Sequence, residues 1–324
     1  MDAQEAQDAQ EAQGARRFAA IDIGTVTCRM LVADVVGGRV VPLAKEYAIT
    51  NLGEDVDASG ELKGEAMERV ARTIDRYLAV RDALSTPEHP VLKTVCVATS
   101  AVRDARNASE FARMLADRGL ALAVIPGEQE AALSFAGASA EFPGERILVV
   151  DVGGGSTELI VGLAGAAPQK AHSFDIGCRR VTERFLASDP PAASELCAAR
   201  AWCAEQFAAY FEELPEGARP DCMVAVAGTA TTAVSIREGM ETYDSDRVHG
   251  ARVSLEELEG ITRRLAALPL EERAQVVGLD PGRAPVITAG LLILEEVMRA
   301  AGVGAFTASE SDILQGMVLR AAQG

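Results

Sequence analysis

Aromatic side chains are scarce: Phe, Tyr and Trp make up 4% of the 324 residues, with a single Trp. No basic run is interleaved with the few that exist, which excludes a base-stacking platform for single-stranded nucleic acid. Positive charge is also in deficit, since 31 Lys and Arg stand against 48 Asp and Glu, a formal net charge of −17. A field of that sign repels nucleic-acid backbones and anionic membrane surfaces, so neither is expected as a partner. The three histidines and six cysteines include no CxxC pair and no metal-ligand spacing, which excludes a zinc centre. The cysteines read instead as buried, reduced thiols of a cytoplasmic protein. No GxSxG elbow is present for a serine hydrolase, GxxxxGK[ST] is absent, and no GxGxxG joins a strand to a helix. No apolar run approaches the roughly 18 residues a membrane span needs. The N-terminus lacks the basic-then-apolar order of a secretory signal. Any polyanion bound by such a chain has to be held in a local pocket, with a metal ion to help.

The composition that remains is that of a globular protein, 48% hydrophobic and 24% charged. At about 150 residues per domain the length predicts two domains. Residues 2–13 repeat DAQEAQ without an apolar face, and 1–17 read as a disordered tail. From Phe18 onward apolar strands alternate with amphipathic helices, the pattern of an α/β layer architecture. FAAIDIG (18–24) and RMLVADVV (29–36) predict a hairpin around Gly24–Thr27. Apolar residues at three- and four-residue spacing predict a helix over 64–84. TVCVATSAV (94–102) reads as a buried strand, followed by a helix capped by Asn107 or Ser109 and stopped at Gly119. A short strand at 121–126 and a helix over 128–140 come next. The opening pattern then recurs: ILVVDVGGGSTELIVG (147–162) repeats strand, Asp, Gly and turn, so that Asp151 matches Asp22. A third strand-to-glycine element, MVAVAGTATTAV, spans 223–234, and helices are expected over 256–268 and 284–302. Two similar halves suggest a duplicated fold with a cleft between them.

Glycine turns let backbone N–H groups approach an anion closely. Gly24 with Thr25 and Thr27, and Gly153, Gly154 and Gly155 with Ser156 and Thr157, therefore read as phosphate binders. Asp22 and Asp151, each two residues before its turn, suit Mg²⁺, which takes one or two carboxylates beside substrate phosphates. Arg29 and Arg103 add guanidinium groups of the kind that grip phosphate bidentately. Glu128 and Glu130 open the helix after Pro126-Gly127. Complementing the positive end of the helix explains both; projection of one towards a substrate as general base explains one of them equally well.

Taken together, IDIGTVTCRMLVAD (21–34), ATSAVRDARN (98–107), IPGEQEAALSFAG (125–137), VVDVGGGSTELIVG (149–162), SFDIGCRRVTERF (173–185), VAVAGTATTAV (224–234), GRAPVITAGLLILEEVM (282–298) and ASESDILQGMV (308–318) resemble the exopolyphosphatase / guanosine pentaphosphate phosphohydrolase family. The resemblance runs from about 18 to 320. It implies two ribonuclease-H-like domains of the actin-like, sugar-kinase-like superfamily, one over 18–125 plus 303–324 and the other over 126–302. It implies Glu130 as the base that activates water, phosphate binding by Arg103 and the two glycine turns, and Mg²⁺ (or Mn²⁺) on Asp151 and Glu158. The family's frequent dimers imply a homodimer, and the length resembles the short two-domain form. Two positions depart from the family: Val26 stands where an amide side chain is usual, and Pro126 where a serine is. Polyphosphate is the substrate to expect and guanosine pentaphosphate the alternative. A small-molecule kinase using the third glycine element for a nucleotide, or a non-catalytic polyphosphate sensor, are the rival classes.

Overall fold

The computed structural model describes residues 14–215 and 217–324, so the DAQEAQ repeat lies outside the described residues. The chain divides into two compact units, one running to Pro126 and including Ile313–Gly324, the other spanning Gly127–Asp312.

The first unit is built on β1 (Arg16–Ile23), β2 (Thr27–Val36), β3 (Arg39–Ile49), β4 (Val91–Ala98) and β5 (Leu122–Val124), in the order β3-β2-β1-β4-β5. β1, β2 and β3 form an antiparallel meander, while β4 and β5 run parallel to β1. Strands covered on both faces need side chains that are largely apolar, and β1 is buried from Phe18 onward while β2 is buried through its middle, Met30–Ala33. One face carries Ile21, Ile23, Cys28 and Met30 against α1 (Gly64–Leu84) and α2 (Ala108–Ala116), through Val70, Ile74, Tyr77, Phe111 and Leu115. The other face is covered by the C-terminal helix Ile313–Gln323. The expected strand over 94–102 ends at Ala98, and Ser100–Asp104 coils into a helical turn that carries Arg103. Asn107 stands before α2 but does not cap it; its amide is spent on the N–H and C=O of Leu62, both at 2.9 Å.

The second unit holds β6 (Arg146–Val152), β7 (Thr157–Leu163), β8 (Pro168–Phe174), β9 (Cys222–Val226), β10 (Arg252–Ser254) and β11 (Ala305–Ala308), in the order β10-β11-β9-β6-β7-β8. Its longer helices are α3 (Gly127–Ser139), α4 (Cys178–Phe185), α5 (Ala193–Glu212), α6 (Ala227–Arg237), α7 (Leu255–Ala266) and α8 (Ile287–Ala301). Leu148, Val150, Leu159 and Ala225 face a large core that includes α5, α6 and α8. Ile147, Val149, Ile160 and Val224 face α3 through Ala131, Phe135 and Ala138. Again the first three strands form an antiparallel meander and the first runs parallel to a later one. Both units thus have the expected ribonuclease-H-like α/β arrangement. Residues 303–312 belong to the second unit, ten residues beyond the expected return at 303, because β11 pairs with β9 and β10. Among the described residues no helix is long and apolar enough to cross a membrane.

Burial pushes the Cys96 and Cys203 thiols up to about 12 and Cys28 well above its ordinary range. The folded chain therefore keeps protons that the unfolded chain releases above about pH 9. Their contribution to stability is complete below that pH and is lost as pH rises towards about 12. The urea midpoint should stay level between about pH 7 and 8.5 and fall by about pH 10.5, less steeply in a Cys96→Ala/Cys203→Ala variant. Equal slopes for the two proteins would show that other groups cause the fall.

Candidate functional site

The two Asp-Gly turns are closed by the same bond. Gly24 N–H donates to Thr27 O at 2.8 Å, and Gly153 N–H donates to Ser156 O at 3.0 Å. Each turn fixes the register of its hairpin, so Asp22 faces Arg29 across β1–β2 and Asp151 faces Glu158 across β6–β7. The duplication is geometric, but the charges differ. In the first unit Arg29 donates from Nη2 and Nε to Asp22 Oδ2, at 2.6 and 3.2 Å, and the partly buried pair is neutral. Asp22, expected to hold a metal, already has a guanidinium as its counter-charge. In the second unit the same position puts two buried carboxylates opposite each other, an arrangement that repels.

The β1–β2 turn is held from one side. Thr25 O accepts from Gly53 N–H, and Val26 O accepts from the N–H groups of Thr50 and Asn51, all at 2.9 Å. In a planar trans peptide the N–H points opposite to the preceding C=O. The N–H groups of Val26 and Thr27 are therefore turned away from the 50–53 segment. Val26 itself is buried, so its replacement of an amide removes a side-chain donor and leaves the backbone donor in place. Arg103, on its helical turn, donates to Ile125 O at 3.2 Å.

The same logic applies more strongly to the β6–β7 loop. Gly153 O accepts from Cys178 N–H, Gly154 O from Arg179 N–H, and Gly155 O from Arg180 Nε, each at 2.9 Å. With three successive carbonyls turned to α4, the N–H groups of Gly154, Gly155 and Ser156 face the opposite way. Three consecutive amides so aligned form a concavity that attracts anions. Gly177 lets α4 come this close, since a Cβ there would lie 2.3 Å from Gly154 O. Thr157, expected to bind phosphate through its hydroxyl, donates instead to Ile176 O and anchors the loop.

Beside this loop α3 is docked at two points. Ser134 donates to Asp151 Oδ2 at 3.1 Å, and Ser173 on β8 donates to Glu158 Oε1 at 2.7 Å. A Cβ on Gly127 would lie 2.4 Å from Ser173 Cβ, so the start of α3 presses on that same serine. Glu130 is three residues after Gly127 and four before Ser134, which places it on the helix face between them. It is buried, whereas Glu128 of the same turn is exposed. Among the described residues no group of three or more His, Cys, Asp or Glu is placed to hold a metal ion by itself. The available donor set is the Asp151–Glu158 pair, which suits a hard cation that completes its shell with water or phosphate oxygens.

The third glycine element is a strand-to-helix turn with Ala227 at φ 62, a strained position for a residue with a Cβ. Thr229 ties it to the end of β6 through Val152 O at 3.1 Å, and the Arg283 guanidinium lies directly on Gly228. Cys178, at the start of α4, is raised by burial against the opposing pull of Arg283 and Arg179. Sequence reasoning missed Gly177, Arg180, Ser134, Ser173 and Arg283 as parts of the site. Two signals pointed towards them: the helical spacing from Glu130 to Ser134, and the glycine at 177 inside the SFDIGCRRVTERF stretch.

The sequence profile of the Ppx/GppA phosphatase family matches residues 31–323. Over 320 residues the chain is 38% identical to a Mycobacterium tuberculosis protein named Exopolyphosphatase 2, covering 94% of this chain and 98% of that one. It is similar to a solved Aquifex aeolicus member of the Ppx/GppA family, with a TM-score of 0.79, 27% identity and coverage of 95% and 98%. A Cytophaga hutchinsonii exopolyphosphatase structure gives a TM-score of 0.85, 25% identity and coverage of 95% and 98%.

Proposed function

Because the chain belongs to the Ppx/GppA phosphatase family, we propose that it is an exopolyphosphatase, removing the terminal phosphoryl group of inorganic polyphosphate by attack of water. The observation that carries this reading is the row of amides at Gly154, Gly155 and Ser156 in the same unit as a buried glutamate on the helix that Ser134 ties to Asp151. The amides suit a terminal phosphate, and in the first unit the Gly24–Thr27 turn and Arg103 are the phosphate binders that the family resemblance implies. Glu130 is the base: it takes a proton from water as the new P–O bond forms in line with the breaking bridge bond, releasing phosphate and a chain one unit shorter. Asp151 and Glu158 would hold Mg²⁺ or Mn²⁺, whose chemistry there is to neutralise charge on the phosphoryl oxygens. Positioning and charge stabilisation, with no covalent intermediate, suffice for such a transfer. The same reading carries with it the homodimer implied by the family resemblance and the cytoplasmic location expected from the reduced cysteines.

The test is phosphate release with Mg²⁺ from short polyphosphate, long polyphosphate and guanosine pentaphosphate, with Glu130→Ala as control. Release from polyphosphate that disappears in the control is the expected result. Release from the nucleotide alone would move the assignment to the alarmone. Stoichiometric binding without release from any of the three would make the protein a sensor.

A further inference from the structure

The apolar packing of α3 on the sheet encloses a hydroxyl that packing does not require. Ala131, Phe135 and Ala138 meet Ile147, Val149 and Ile160, and among them Ser134 is fully buried. A buried hydroxyl is costly unless bonded, and a mid-helix serine commonly returns its proton to the carbonyl four residues back. Ser134 instead reaches across to Asp151 Oδ2. Fixing one carboxylate oxygen fixes the plane of the group and the direction of the other. Because Glu130 lies one helical turn before Ser134, the same bond sets where that turn stands along β6.

We propose that Ser134 is a positioning residue: its hydroxyl orients Asp151 for a divalent cation and holds the helix bearing Glu130 in register with that carboxylate. This rests on the reading of Asp151 and Glu158 as cation ligands. Ser173 does for Glu158 what Ser134 does for Asp151, and it also bears the start of α3 through its contact with Gly127. Both carboxylates and both ends of the segment around Glu130 are thus tied to one another by two hydroxyls. The duplicated position in the first unit needs no such device, because Arg29 orients Asp22 directly.

Hydrogen bonds to a metal ligand from outside the coordination shell are typically worth about 10–100-fold in metal affinity. The test uses the full chain and Mn²⁺ as probe, free Mn²⁺ being followed by its electron paramagnetic resonance signal in the absence of substrate. Ser134→Ala should weaken Mn²⁺ binding by about 10–100-fold and raise the half-saturating Mg²⁺ concentration for phosphate release by a similar factor. Ser134→Thr, which keeps the hydroxyl, should recover most of the affinity, and circular dichroism melting should show each variant folded. Wild-type Mn²⁺ affinity in Ser134→Ala overturns the proposal. If the wild-type chain binds no more Mn²⁺ than an Asp151→Asn variant, the cation reading itself falls and the role of Ser134 with it.

Discussion

Glu130→Gln is expected to lower kcat for phosphate release from short polyphosphate by about 10²–10⁴-fold, the usual share of a general base. The amide matches the carboxylate in shape, so the docking of α3 through Gly127 and Ser134 should survive and KM should change little. The competing explanation is that Glu130 merely complements the positive end of its helix, a role worth about 0.3–1 kcal/mol of stability and nothing in rate. Glu128 provides the internal control. It occupies the same first turn but is exposed, so Glu128→Gln should remove a comparable helix-end interaction while leaving turnover intact. The two variants should therefore be close in urea midpoint and differ by orders of magnitude in kcat. Equal kcat values for the two, near the wild-type rate, would remove Glu130 from the chemistry and leave it as a helix-end charge.

Much of this site is legible in the hairpins. A two-strand turn sets its own register, so residues equidistant from Gly24–Thr27 must face each other, as must those equidistant from Gly153–Ser156. The pairing of Asp22 with Arg29, and of Asp151 with Glu158, follows from that rule once each turn is recognised. Treating Asp22 and Asp151 as equals from the repeat alone overlooked the opposite charges on the returning strands. The long helix over 64–84 was read with its bounds intact because its apolar residues keep helical spacing for 21 residues.

What stayed hidden lacked a local signature. β3 and β8 lie at sheet edges, where exposed residues such as Lys45 and Gln169 interrupt the apolar pattern. The four-residue β11 is a strand only because β9 and β10 flank it, which is why the domain return was placed ten residues too early. The clamp of α4 on the glycine loop joins residues more than twenty apart through backbone carbonyls. A side-chain alphabet does not record such a contact, except by the glycine that permits it.

That glycine supplies the second large effect. Gly177 has φ −128 and ψ 162, an extended conformation open to any residue, so its requirement is one of space alone. An alanine Cβ would lie 2.3 Å from Gly154 O, 2.4 Å from Gly154 C and 2.4 Å from Gly155 N. All three are backbone atoms of the loop, and no rotamer change relieves the clash. Either α4 or the loop has to move by roughly an ångström to restore ordinary contact, a misplacement that can cost about 10²-fold in rate when it falls on a positioning element. Gly177→Ala should therefore lower kcat/KM for polyphosphate by about 10²-fold, with overpacking costing about 1–3 kcal/mol in the urea midpoint. Gly260→Ala is the matched control: it lies in α7 with nothing within 4 Å of its added Cβ. That change should leave kcat/KM unaltered and raise stability by about 0.5–1 kcal/mol, the helix propensity difference. A Gly177→Ala enzyme that loses stability but keeps wild-type kcat/KM would mean that the Gly154–Ser156 amides do not touch the transferred phosphate. The anion would then have to be held by the Gly24–Thr27 turn and the arginines instead.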